Sequence, residues 1–269
     1  MARLSMNEMT TFRWSFEEDV AQYAAAGFTA LGVWRQKLSD YGEDKGIELL
    51  TQRQMSVSNL LWAGGFTGSD GRSFRESIED AVEAIRLAAQ MHAHCLVVYS
   101  GARAGHTHSH ARRLLRDAFR ELVPVADDFD VTLAIEPMHA GCAAEWTFLT
   151  SLDEALALID AAECPRVKLA FDTYHLGLEP DIVPRIARLA SRIAVVHLGD
   201  SKQQPDGENN RCRLGEGAIP LAEIVAALEA AGYNGFYDVE LMGEEIEAAD
   251  YRELLEHSRQ AFERIASRA

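Results

Sequence analysis

Four residues in this chain combine the right chemistry with the right spacing to act together: Glu136, Asp172, His197 and Glu240. Each closes a short apolar run. Val131-Thr-Leu-Ala-Ile leads into Glu136, Val167-Lys-Leu-Ala-Phe into Asp172, Ile193-Ala-Val-Val into His197, and Tyr237-Asp-Val into Glu240. One acidic residue at the end of a strand is usually structural. Three carboxylates and an imidazole ending four successive strands are a different matter, because charges converging on one rim repel each other strongly without a cation. Oxygen-rich ligation with a single nitrogen suits a divalent ion such as Mn²⁺, Mg²⁺ or Co²⁺ with open positions for substrate, whereas Zn²⁺ prefers more nitrogen or sulfur. The expectation is one divalent metal ion, Mn²⁺ first, with Mg²⁺, Co²⁺ or Zn²⁺ as alternatives.

The elements that must position these residues follow from periodicity. Brief β-branched runs alternate with longer helix-period runs, the pattern of a parallel α/β protein. Strands are expected at Leu4–Met9, Ala30–Trp34, Ser56–Trp62, Cys95–Ser100, Val131–Glu136, Val167–Asp172, Ile193–His197 and Phe236–Glu240. Helices are expected near Phe16–Ala26, Gln36–Gln52, Phe74–Gln90, Ala111–Asp127, Leu152–Ala162, Asp181–Ala190, Leu221–Ala231 and Ala248–Ala266. Ser15 and Ser151 read as N-caps, and Gly27 and Gly232 as glycines that close helices. Eight such units predict an α/β chain forming a single (β/α)8 TIM barrel over residues 1–269, with the active site at the C-terminal ends of the strands. No Gly-rich phosphate fingerprint follows the first strand, as an open doubly wound sheet would want. The cluster Gly64, Gly65, Gly68 and Gly71 lacks that spacing and reads as a mobile loop or lid.

Composition narrows the partners. The 269 residues are 48% hydrophobic and 25% charged, an ordinary globular balance. With 26 basic and 42 acidic residues the formal charge is −16, which disfavours nucleic acid in the absence of a basic patch. Arg112, Arg113, Arg116 and Arg120 fall at helical spacing and read as a solvated face. Cys95, Cys142, Cys164 and Cys212 form no CxxC pair, there is no apolar run of signal-peptide or membrane-span length, and a cytoplasmic protein is expected.

The stretches LAIEPMH, LAFDTYHLG, VVHLGD, GENNRCRLGEG and GFYDVELMG resemble the motifs of the xylose-isomerase-like sugar isomerase/epimerase family, which includes D-tagatose 3-epimerase-like enzymes, hydroxypyruvate isomerases and inositol-catabolism proteins. The resemblance is clear from about residue 90 onward and covers the first third in outline. It implies that Glu136, Asp172, His197 and Glu240 are the metal ligands and that Glu136 and Glu240 also exchange protons with substrate. It implies that His175 contacts substrate and that Arg211 holds its oxygens. Glu145 is a looser match to a further substrate-contacting acid, and the loop from His197 to Arg211 is longer than in the ketose 3-epimerases. Dimers or tetramers are common among relatives, so a homo-oligomer is implied too.

The chemistry these residues fit is proton removal beside a carbonyl through a metal-stabilised enediolate, with a carboxylate base on one face and an acid on the other. A carbohydrate or polyol is the expected substrate. Trp14, Trp34, Trp62 and Trp146 fall near the ends of strands, and Trp34 and Trp62 are expected to wall the substrate pocket. A lyase or dehydratase acting on a keto-sugar or keto-inositol would use the same residues. A DNA-repair endonuclease is disfavoured by the charge and by the lack of further histidine ligands: His106, His108 and His110 alternate and suit a surface or substrate loop, and His92 and His94 precede their strand. A non-catalytic sugar-binding barrel would show a broken ligand set. Asp200 reads either as a support for His197 or as a loop cap.

Overall fold

A computed structural model describes residues 2–267. Eight parallel strands close into a barrel in sequence order, β1 (Arg3–Asn7), β2 (Ala30–Trp34), β3 (Ser56–Gly64), β4 (Leu96–Tyr99), β5 (Leu133–Ile135), β6 (Val167–Asp172), β7 (Ile193–Leu198) and β8 (Phe236–Val239). The ring is sealed by β1 against β8, with Ser5 opposite Asp238. The outer layer comprises α1 (Phe16–Ala25), α2 (Arg35–Tyr41), α3 (Glu43–Arg53), α4 (Phe74–Gln90), α5 (His108–Asp128), α6 (Leu152–Ala161), α7 (Thr173–Leu176), α8 (Ile182–Ala187), α9 (Leu221–Ala230), α10 (Glu244–Glu247) and α11 (Tyr251–Ala266). The expected (β/α)8 TIM barrel is therefore the fold.

Local chemistry explains most of the boundaries. Ser15 and Ser73 each form a full capping box, with Glu18 and Glu76 returning a bond to the cap backbone, and Ser151 caps α6 through Glu154 N–H. Gly27 takes φ of 87° directly after the cap of α1, which is the left-handed turn expected there. The helix expected over Gln36–Gln52 is two helices, because Gly42 at φ 105° turns the chain between α2 and α3. The expected Asp181–Ala190 helix stops at Ala187 and is followed by a 3-10 turn, Ala190–Arg192. The last expected helix, Ala248–Ala266, is the single helix α11 starting at Tyr251, and α10 is a separate turn before it.

Most of the apolar core lies between the barrel and its helices, with residues such as Leu31, Leu60, Leu96, Leu133 and Val196 fully or almost fully buried. Inside the barrel the packing is partly polar. Asp238 accepts hydrogen bonds from Ser5 Oγ (2.5 Å), Asn7 Nδ2 (2.8 Å), Asn59 Nδ2 (2.8 Å) and Ser58 Oγ (3.2 Å). Gly32 leaves room for this layer: a methyl there would collide with Asp238 Oδ2 and come within 3.0 Å of Asn7 Nδ2. Such a buried carboxylate is tolerable because donors surround it.

Candidate metal centre and substrate cavity

The four residues at the strand ends meet. Asp172 is the last residue of β6 and pairs with His197 of β7, while Glu136 and Glu240 follow β5 and β8 directly. Glu136, Asp172, His197 and Glu240 are all buried, and one donor atom from each lies within 4.8 Å of all the others. His197 Nδ1 is 2.9 Å from Glu136 Oε1 and 3.1 Å from Glu240 Oε2, so both glutamates converge on one ring nitrogen. Glu136 Oε2 is buried without a hydrogen-bond partner. Three buried carboxylates with an orphaned oxygen and a nitrogen aimed at them form a donor set that fits a divalent cation.

The electrostatics carry the same message. Burial disfavours the charged form of His197, but the charges of Glu240 and Glu136 outweigh it and raise its pKa well above the usual histidine value. Burial pushes the Glu136 carboxyl up. Glu240 is held at about 2: burial opposes this, but His197, Arg211 and His175 together prevail. In this arrangement His197 and the Arg211 guanidinium are the groups that face the carboxylates.

Arg211, almost fully buried, ties the centre to the neighbouring wall. Its Nη2 donates to Asp172 Oδ2 (3.0 Å) and Glu208 Oε2 (2.8 Å), its Nη1 donates to the Glu240 carbonyl (3.1 Å), and its guanidinium lies 4.1 Å over the Tyr174 ring. Two of those groups are positioned by one turn, since Asp172 caps α7 through the Tyr174 N–H and that turn carries His175. His175 Nε2 is 3.3 Å from Glu208 Oε1, Nδ1 has no partner, and burial lowers its pKa, which favours the neutral ring.

A cavity of about 430 Å³ opens over this centre, lined by Trp62, Tyr99, Trp146, Glu136, His175 and Arg211 among others. That volume lies in the range of small-molecule sites. Glu145, Glu208 and Glu240 line it as well. Cys142, His175 and Glu208 form a second group of donor atoms within 4.8 Å of one another on the cavity wall. Arg211 already balances the Glu208 charge there, and burial pushes the Cys142 thiol up to about 12.

Several expectations shift. Trp62 and Trp146 line the cavity, but Trp34 does not; it stacks beside Trp62, with ring centroids 6.5 Å apart. Trp14 packs edge-on against Tyr251 and belongs to the core margin. The glycine segment after β3 is folded onto the barrel, with Phe66 in the core and Arg72 bonded to the Gly64 carbonyl, Asp70 and Asp80. His108 and His110 form the first turn of α5, capped by Thr107, with His108 exposed. His92 and His94 lie at the opposite mouth of the barrel beside Arg3 and Phe236. Asp200 is a loop cap, accepting from Ser201, Gly215 and Gly217 N–H. Among the described residues no helix is long and apolar enough to cross a membrane.

Glu208, Tyr99, Cys142 and Met138 are cavity residues that the periodic pattern could not single out. Glu208 was within reach, because it sits three residues before Arg211 in GENNR. The other large omission is Glu8, discussed below.

Residues 20–261 match the family model described as the xylose isomerase-like TIM barrel. The chain belongs to that family. An inosose isomerase from Bacillus velezensis is 20% identical over 283 residues, covering 99% of this chain and 98% of that protein. A hydroxypyruvate isomerase from Escherichia coli is 24% identical over 250 residues, covering 89% and 93%. A D-psicose 3-epimerase from Enterocloster bolteae is 32% identical over 117 residues, which is 43% of this chain and 35% of that protein's length. Among solved structures, protein SMc04130 from Sinorhizobium meliloti 1021 superimposes with a TM-score of 0.90 at 27% identity, covering 98% of each chain. A structure described as IOLI protein with a binding zinc atom gives 0.85 at 18% identity, again covering 98% of each, and that likeness shows the fold. The relatives are thus sugar and polyol isomerases and epimerases.

Proposed function

We propose that this xylose isomerase-like barrel is a divalent-metal-dependent isomerase or epimerase of a keto-sugar or keto-polyol. The observation that carries the reading is the buried cluster of Glu136, Asp172, His197 and Glu240 at the floor of a cavity that both glutamates also line. These four residues would hold the cation, with Mn²⁺ the first choice and Mg²⁺, Co²⁺ and Zn²⁺ alternatives. Such an ion would polarise a substrate carbonyl and so acidify the C–H of the neighbouring hydroxyl-bearing carbon.

The protein's own groups divide the remaining work. Glu136 and Glu240 both reach His197 Nδ1 and both line the cavity, and in this reading one carboxylate removes the proton from one face of the reacting carbon while the other returns a proton on the opposite face. His175 offers its free nitrogen to a substrate hydroxyl. Arg211 holds Asp172 and the Glu240 backbone in place and presents its guanidinium to the substrate oxygens. Trp62, Tyr99 and Trp146 exclude water and pack against the C–H faces of the sugar.

The test is incubation of the Mn²⁺-loaded protein with a panel of ketoses, keto-sugars and keto-inositols in D₂O, followed by NMR. Deuterium uptake at the carbon beside the carbonyl, or a new epimer, is expected, with loss of at least a hundredfold in Glu240→Gln. A product lacking a substituent would identify a lyase, and no exchange across the panel would overturn the reading.

A further inference from the structure

The cavity does not end at Trp62. Trp34 stacks on it at 6.5 Å and 17°, and Phe12 stacks on Trp34 at 5.8 Å and 28°. On the cavity side, Trp62 meets Trp146 edge-on at 5.2 Å and Tyr99 at 5.6 Å. The result is a continuous row of rings running from above the metal centre out to the rim. At the outer end Phe12 is 55% exposed, the most exposed large apolar residue among those described, and Trp146 is 37% exposed. Contiguous exposed apolar surface on a soluble protein usually has something to bind.

Phe12 is also held unusually firmly for an exposed side chain. Its neighbours Thr10 and Thr11 are buried. Thr10 Oγ1 donates to the Val239 carbonyl and accepts from Leu241 N–H. Thr11 Oγ1 donates to Asp19, and the Thr11 carbonyl accepts from the buried Lys37 Nζ at 2.9 Å. The Trp34 backbone N–H donates to Glu8 Oε2 at 2.7 Å, which anchors the residue carrying the second ring to the same foundation. A turn fastened at this many points presents its ring in a fixed place, which is what a preorganised binding surface requires.

Charge defines the occupant. Four glutamates line the cavity; with Glu136 and Glu240 given to the ion, Glu145 and Glu208 remain against one side-chain cation, Arg211, whose donors already serve Asp172, Glu208 and Glu240. The arginines beside the row are engaged too: Arg35 pairs with Asp80 and donates to the Trp62 carbonyl, and Arg13 donates to the Ala249 carbonyl over the Tyr251 ring. A phosphate would meet carboxylates and a guanidinium whose charge is already balanced by Asp172 and Glu208.

We propose that Phe12, Trp34 and Trp62 form a second subsite that takes an uncharged ring attached to the reacting keto-polyol, so that the substrate is an unphosphorylated two-ring compound of the keto-glycoside class. The inference rests on the proposed function for the reacting part alone; the row itself is read by binding.

The test compares phenyl 3-keto-β-D-glucopyranoside with its methyl counterpart and with the methyl compound's 6-phosphate, by calorimetric titration of the Mn²⁺-loaded protein. The phenyl compound is expected to bind at least tenfold more tightly than the methyl one, and the phosphate at least tenfold more weakly. Phe12→Ala and Trp34→Ala are expected to bring the phenyl-to-methyl ratio within threefold with the methyl affinity unchanged, and Phe12→Tyr to keep the ratio. A wild-type ratio near one, a ratio that survives both alanine variants, or binding of neither compound overturns the subsite. So does an unchanged ratio in Phe12→Ala accompanied by dissociation of a dimer in sedimentation, which would make the row an interface between copies. Preference for the phenyl compound without deuterium exchange leaves the subsite standing and removes the reaction; exchange with a ratio near one does the reverse.

Discussion

At the residue scale, His197 and Arg211 are the two groups on which the charge of the centre turns. His197 Nδ1 contacts both Glu136 and Glu240, and Arg211 bridges Asp172 to Glu208. Without a cation these two residues carry the burden of neutralising buried carboxylates, so a bound ion should stabilise the fold through mass action. Saturation at a hundred times the dissociation constant contributes about 2.7 kcal/mol. For a chain of this size that corresponds to a rise of roughly 5–10 °C in the unfolding midpoint. Scanning calorimetry with Mn²⁺ and then with excess chelator checks this, and identical midpoints would argue against ion binding. Arg211→Met should destabilise the metal-free protein by about 3–5 kcal/mol in urea, because it leaves the buried Asp172 and the half-buried Glu208 without their partner. Adding Mn²⁺ should recover part of that loss, since the ion takes over Asp172.

At the scale of elements, the decisive unit is the turn from β1 into α1 together with the start of α2. Glu8, Asp19 and Lys37 are all buried there, with Lys37 Nζ 2.6 Å from Asp19 Oδ2. Lys37→Met should cost about 3–5 kcal/mol, measured by chemical denaturation, because it strands Asp19. Burial and the neighbouring Asp19 raise the Glu8 pKa well above 4.5, and burial raises Asp19 to about 6 against the pull of Lys37. A carboxyl whose pKa is raised on folding holds a proton that the unfolded chain has released, so stability falls as pH climbs from the ordinary carboxylate value through the raised one. Glu8→Gln removes its share of that slope and should gain stability relative to the wild type as pH rises from 4.5 toward 7; parallel profiles would refute this. The sequence made the barrel and its second-half candidate ligands readable because four apolar runs end in chargeable residues at 136, 172, 197 and 240. It hid the break at Gly42 because helical periodicity continues on both sides of it. It hid the role of Glu8 because that residue counted as strand, whereas β1 ends at Asn7 and Glu8 turns inward to the Trp34 backbone. Trp34 was correctly placed at a strand end, but the end of a strand does not say which neighbour stands between a ring and the cavity.

Across the whole molecule, 42 acidic against 26 basic residues and a cavity rich in glutamates argue against a polyanionic partner. Duplex DNA should show no measurable retention at about 0.15 M salt in a filter assay, and abasic-site DNA no cleavage. Saturable binding would instead point to a basic surface that the fold assembles from separated arginines. One consequence of the barrel's closure concerns how such a protein changes over time. The proposed ion donors come from the ends of β5, β6, β7 and β8, whereas Phe12, Trp34 and Trp62 come from the ends of β1, β2 and β3. The β1–β8 pairing brings these two groups to the same opening although they lie far apart along the chain. Selection can therefore rework the early loops, and with them the choice of molecule admitted, while the later strand ends stay as they are. Duplication, recombination or a few exchanged rings would be enough to turn one member of such a lineage toward a new sugar without relearning how to move a proton.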